Sequence, residues 1–148
     1  MLPMSGEQEV ALPEMTLYEY VGGAPFFERL VDVFYDGVAT DTVLLPLYPE
    51  PDDLGPARRR LALFLMQYWG GPTTYNDERG HPRLRMRHFP FTIGAVERDR
   101  WLHHMLRAVH QSTDDEQVRE MLIGYFVPSA EHLRNDTGLP ISSSDPRA

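Results

Sequence analysis

Arg79-Gly80-His81-Pro82-Arg83-Leu84-Arg85-Met86-Arg87-His88-Phe89-Pro90-Phe91 packs two histidines, four arginines and two phenylalanines into thirteen positions. Pro82 can open a helix because its fixed φ suits the first turn, and Pro90 biases Phe89 away from helical geometry. One or two helical turns therefore end near His88. A histidine at the end of so short a helix, with Met86, Phe89 and Phe91 around it, has few rotamers and an apolar setting. It is placed to bind a metal centre.

The flanks of this stretch are helical. Upstream, Ala57, Leu61, Phe64, Leu65 and Tyr68 recur on one face of a helix expected from about residue 54 to 69, the cleanest apolar stripe in the chain. Gly70-Gly71-Pro72 ends it, and residues 70–81 read as a polar loop long enough to have a purpose. Further upstream, Val21-Gly22-Gly23 makes a break before Phe27, Leu30, Val31, Phe34 and Val38, with Tyr35 on the flank of that face. Asp41-Thr42 can cap a short turn before Pro46, and residues 48–53 form an acidic connection. Downstream, a helix over 92–110 buries Val96, Trp101, Leu102, Met105 and Val109. A last helix begins at Thr113, which matches a capping box with Glu116, and carries Val118, Met121, Leu122, Tyr125, Phe126 and Leu133. Pro128 should kink or divide it. No strand alternation and no repeat is visible, so the chain reads as all-α. A flexible arm over 1–17, one helical domain over 18–134 and a flexible tail over 135–148 are expected.

The chain has 148 residues, no cysteine and a formal charge of −8. Without cysteine there is no disulfide, thiolate zinc site or iron–sulfur cluster. The negative charge argues against a general nucleic-acid or anionic-membrane binder. No run is long enough for a membrane span, and the amino terminus has no signal-peptide pattern, so a cytoplasmic protein is the expectation. All 14 basic residues are arginines, and seven fall between Arg58 and Arg87. Lysine chemistry is excluded, while bidentate grips on carboxylates are favoured.

Two helix pairs packed crosswise can enclose a cavity. An iron porphyrin would need one axial ligand, an apolar slot and cations for two propionates. His88 is the axial candidate. Leu61, Phe64, Phe89 and Phe91 are wall candidates, with Met86 beside the ligand, and Arg60, Arg79, Arg83, Arg85 and Arg87 can meet propionates. Tyr35, Tyr48 and Trp101 supply donors for a bound gas. Each has a plainer reading. A histidine at a helix end is by default a surface or satisfied core residue, the basic run is a solvated face or a local RNA or phosphate site, and Tyr35 and Trp101 are core. His103 and His104 point to different helix faces, which disfavours a zinc pair.

At these residues the chain resembles the truncated haemoglobins of the second group, the O-type common in actinobacteria. The resemblance rests on Tyr20-Val21-Gly22-Gly23, Phe34-Tyr35, Leu47-Tyr48-Pro49-Glu50, Phe64-Leu65, Gln67-Tyr68-Trp69-Gly70-Gly71-Pro72, the stretch from Arg79 to His88, Pro90-Phe91, and Glu97-Arg98-Asp99 with Trp101. It implies a two-over-two helical sandwich and haem b held through His88. It also implies a distal side of Tyr35, Tyr48 and Trp101, with Ala57 where many other globins have a distal histidine. Phe89 stands where an alanine is common. Such a protein would reversibly bind dioxygen, nitric oxide or carbon monoxide, for oxygen transport or oxygen and nitric oxide chemistry. The alternatives are a haem-dependent peroxidase or a nitric-oxide-detoxifying enzyme with an external reductase, and, more distantly, a haem-free helical interaction module. No flavin fingerprint is present, and self-association stays open.

Overall fold

The computed structural model describes residues 15–79 and 93–134. Among them the regular structure is entirely helical: α1 (Leu17–Tyr20), α2 (Ala24–Val38), a 3₁₀ turn (Leu45–Leu47), α3 (Gly55–Tyr68), α4 (Thr74–Arg79), α5 (Ala95–Ser112) and α6 (Glu116–His132). Helices α2 and α3 make one pair and α5 and α6 another, and the pairs meet where α2 packs on α5. This is the expected two-over-two arrangement. No helix among the described residues is long and apolar enough to cross a membrane.

Helix α2 is the centre of the core. Pro25 sits in its first turn, where a missing N–H costs nothing, and Phe27, Leu30, Phe34 and Val38 recur at helical spacing and are fully buried. Burial of each such side chain contributes about 1.5–3 kcal/mol, so Phe34→Ala is among the most damaging single changes, at about 3–5 kcal/mol. Met105, Ala108 and Val109 of α5 and Val118, Leu122 and Phe126 of α6 complete the same core.

Helix α1 is tied to this core. Thr16 caps α1 in a reciprocal box with Glu19 (3.1 Å each way), and the Tyr18 N–H donates to the Trp69 carbonyl at 3.0 Å. Gly70 makes that docking possible: its φ is +101°, and a Cβ there would lie 2.5 Å from Thr16. Tyr20 donates to Asp115 at 2.8 Å, linking α1 to the start of α6.

Several expectations change. The cap of α6 is Asp115, which accepts from the N–H groups of Gln117 and Val118; Thr113 instead ends α5 and its hydroxyl accepts from Asp115 N–H. Pro128 lies inside α6 and does not divide it, while Ser129 donates to the Tyr125 carbonyl at 2.7 Å. Val96 and Met121 are exposed, because the core face of α5 begins further along and Leu122 rather than Met121 turns inward. The core face of α3 is Ala62, Leu65 and Met66, and Tyr68 is exposed. The stripe read from the sequence is real, but most of it faces something other than the core.

Candidate functional site

What it faces is an open cavity of about 850 Å³ between α3 and the segment that follows α2, its mouth included. Ala57, Arg60, Leu61 and Phe64 line it from α3, Tyr35 from α2, Leu47, Tyr48 and Pro49 from the connector, and Tyr75 and Arg79 from α4. The spacing i, i+3, i+4, i+7 puts the four α3 residues on one face. These side chains are apolar because they meet a cavity, so periodicity alone could not separate them from core.

The polar side of the cavity is built from two tyrosines. Tyr35 is 4% exposed and its ring meets Tyr48 edge-on, centroids 5.6 Å apart. Their hydroxyls are in polar contact with each other, and the Tyr48 hydroxyl also meets the Trp101 side chain. Burial pushes the Tyr35 phenol up to about 12, and the same cause, with the neighbouring Tyr35, drives Tyr48 well above the ordinary range. Both are therefore neutral at physiological pH and can donate. Indole N–H only donates, so Trp101 occupies an acceptor position on Tyr48, whose hydroxyl is also engaged with Tyr35.

Trp101 itself lies behind Tyr48. It packs edge-on against Phe34 (5.3 Å) and Phe126 (6.0 Å) and lines a neighbouring apolar cavity of about 380 Å³ with Leu44, Leu47 and Ile93. Among the described residues, Trp101 is not in the wall of the larger cavity.

Arg58 fixes Tyr35 from the other side. Its guanidinium lies over the Tyr35 ring, 5.8 Å from the centroid, and bonds Asp32 (3.1 Å) and Asp36 (3.2 Å) of α2. Sequence reasoning missed this residue, and the signal was an acidic pair one turn apart flanking Tyr35. It also missed Tyr75. Residues 74–79 are helical rather than loop, and this buried aromatic meets Phe64 edge-on at 5.4 Å. One aromatic among six residues carries no period that would have revealed it.

Of the residues singled out in the sequence, Tyr35, Tyr48, Ala57, Arg60, Leu61, Phe64 and Arg79 gather around one cavity. Arg83, Arg85, Met86, Arg87, His88, Phe89 and Phe91 lie outside the described residues. Among the described residues no cluster of three metal-ligating side chains occurs.

The rim decides what fits. Arg58 is engaged by Asp32 and Asp36 and Arg59 by Glu78, whereas among the described residues Arg60 and Arg79 stand in no ion pair. An apolar trough with two uncommitted guanidiniums at its edge and neutral donors on one wall suits a flat apolar ring carrying carboxylates. Haem has that chemistry.

The profile of the bacterial-like globins matches residues 16–135. The chain belongs to that family. A group 2 truncated hemoglobin of Bacillus subtilis is 40% identical over 120 residues, which cover 81% of this globin and 89% of the relative. Among solved structures, a thermostable hemoglobin from the actinobacterium Thermobifida fusca superposes with a TM-score of 0.80 at 58% identity, covering 83% of this globin and 99% of that chain. A truncated oxygen-avid haemoglobin from Bacillus subtilis superposes with a TM-score of 0.74 at 39% identity, covering 81% and 99%. The two-over-two arrangement of the globin's helices is thus that of a truncated haemoglobin of the second group, whose family chemistry is haem-based ligand binding.

Proposed function

We propose that this globin holds haem b in the 850 Å³ cavity and binds dioxygen there, with Tyr35 and Tyr48 as the donors. Haem, when bound, would supply an iron that takes a diatomic ligand. His88 would be its protein ligand. Leu61, Phe64, Met86 and Phe91 would hold the ring, and Arg60, Arg79, Arg83 and Arg87 would serve its propionates. Ala57 leaves room on the distal side where a histidine would otherwise compete.

The observation that carries the reading is the pair of neutral phenols on the cavity wall, Tyr35 buried and Tyr48 half-buried, with Trp101 on the acceptor side of Tyr48. A dioxygen ligand carries partial negative charge, and preorganised donors in a dry site hold it without reorganisation. Carbon monoxide and nitric oxide enter the same cavity with less need of donors. Peroxide chemistry would need a group to shuttle the proton, and among the described residues no histidine or carboxylate lines the cavity. Repeated turnover with nitric oxide would draw electrons from an external reductase.

The test is reconstitution and gas kinetics. Purified protein given hemin should show a Soret band at one equivalent, and its reduced form should bind dioxygen reversibly. A protein that takes up no hemin would overturn the reading, as would dioxygen and carbon monoxide release rates that respond equally to loss of Tyr48.

A further inference from the structure

Among the described residues, Asp41 is the single charged side chain that is buried, at 6% exposure. A carboxylate out of water is costly unless every lone pair is used. Here they are. Oδ1 accepts from the N–H groups of Val43 (2.9 Å) and Leu44 (3.1 Å), and both oxygens accept from Arg100 Nε (3.0 and 3.2 Å). Oδ2 lies 2.7 Å from His104 Nε2. Burial favours the neutral acid, but the bonds from His104, Leu44, Arg100 and Val43 outweigh it and hold the carboxyl well below the usual carboxylate range. An ionised carboxylate only accepts, so His104 Nε2 carries the proton.

The positions of these partners matter more than their number. Arg100 directly precedes Trp101 on α5, and His104 follows it by three residues, so the two brace the turn that presents the indole. Asp41 opens the connector that presents Tyr48. From it runs a chain of tight turns: Leu45 N–H to the Asp41 carbonyl (2.9 Å), Leu47 N–H to Leu44 (2.9 Å) and Tyr48 N–H to Leu45 (3.1 Å). One carboxylate therefore joins the two elements that carry Tyr48 and Trp101.

The joint cannot slide. A Cβ on Gly37 would run into His104 Nδ1 and would come within 2.6 Å of Arg107 Nη2, so α5 lies against the α2 backbone there. Among the described residues, His104 Nδ1 is buried without a partner, and Asp41 is the ring's hydrogen-bond partner at Nε2.

We infer that Asp41, through Arg100 and His104, is the positioning residue that sets the Tyr48–Trp101 contact and so controls how the distal donors hold their ligand. The proposal rests on the reading of Tyr48 as a ligand donor. The experiment separates the two.

The chain has two tryptophans, so Trp69→Phe assigns the indole resonances. The ¹⁵N–¹H indole signal of Trp101 is recorded in the reduced, carbon monoxide-loaded protein, alongside dioxygen and carbon monoxide release rates. Asp41→Asn keeps an acceptor for Val43 and Leu44 but loses the charge. His104→Leu removes the ring's bond, and His104→Gln restores a donor near the Nε2 position. Asp41→Asn and His104→Leu should shift the Trp101 signal, leave Trp69 in place, and speed dioxygen release relative to carbon monoxide by about threefold or more, with His104→Gln returning both towards the parent. Should His104→Leu fail to fold, Arg100→Gln, whose side chain is 44% exposed, takes its place with the same expected shift. An unmoved Trp101 signal with a parental gas ratio overturns the proposal, even where melting temperature falls, since that is the pattern of a purely structural ion cluster. Tyr48→Phe is the control for the underlying reading. If it too leaves the gas ratio unchanged, the donor reading fails, and the indole signal alone decides the positioning role.

Discussion

Trp101→Phe keeps an aromatic ring between Phe34 and Phe126 and removes one N–H. Two magnitudes are conceivable. If the indole met the ligand directly, the loss would be that of a hydrogen bond to a charged group, about 1.5–3 kcal/mol, or roughly ten- to a hundredfold in dioxygen release. The structure puts Trp101 behind Tyr48, outside the wall of the 850 Å³ cavity. What is lost is then a neutral bond that orients the Tyr48 hydroxyl, worth about 0.5–1.5 kcal/mol, or about two- to tenfold. Most of this should appear in the dissociation rate. Stopped-flow release of dioxygen and of carbon monoxide should show the smaller range for dioxygen and less for carbon monoxide. Tyr48→Phe should cost more, about ten- to a hundredfold, and adding Trp101→Phe to it should change little further, because the indole acts through the hydroxyl already removed. Additive effects in the double variant, or a hundredfold effect of Trp101→Phe alone, would refute the relay. Equal effects on both gases would refute any donor role.

Four further outcomes are expected. His88→Ala should lose haem and melt at a lower temperature, since a ligand bound only by the native state stabilises it by mass action, while His81→Ala should retain haem; reversed absorption spectra would reassign the ligand. Arg60→Ala should speed haem transfer to an acceptor protein by no more than about fivefold, because a partly solvated rim pair is worth about 1 kcal/mol or less, and the visible spectrum should stay unchanged. Tyr35 has its phenol raised, so its contribution to stability is complete below about pH 10 and fades as pH rises towards about 12; Tyr35→Phe should flatten that alkaline fall in chemical denaturation. Asp41 has its carboxyl lowered, so its contribution is present above the unfolded value of about 3.9 and is lost as pH falls below it; Asp41→Asn should be less stable at pH 7 and lose less on acidification.

Local chemistry was legible in the chain because each cue acts over a few residues. The break at Gly22-Gly23, the apolar run of α2 and the Asp41 cap are properties of neighbouring residues, and the structure keeps all three. The motifs around Tyr35, Tyr48 and Trp69-Gly70-Gly71 pointed to the family, and with it to the fold. The capping residue of α6 was misplaced by two positions, from Thr113 to Asp115, because both side chains can accept from a nearby N–H and only the start of the helix distinguishes them.

What tertiary structure decided is which surface each helical face meets. The stripe on α3 is apolar whether it meets core or cavity, so only the packing of α2 and α4 around it makes Ala57, Leu61 and Phe64 a binding wall and leaves Tyr68 exposed. The sequence named Trp101 as a donor, but its place behind Tyr48 depends on where α5 crosses the connector. That crossing is fixed by a buried carboxylate whose partners Arg100 and His104 lie 59 and 63 residues away. No local pattern encodes such a separation, because burial strengthens the pairing only after the chain has closed around it.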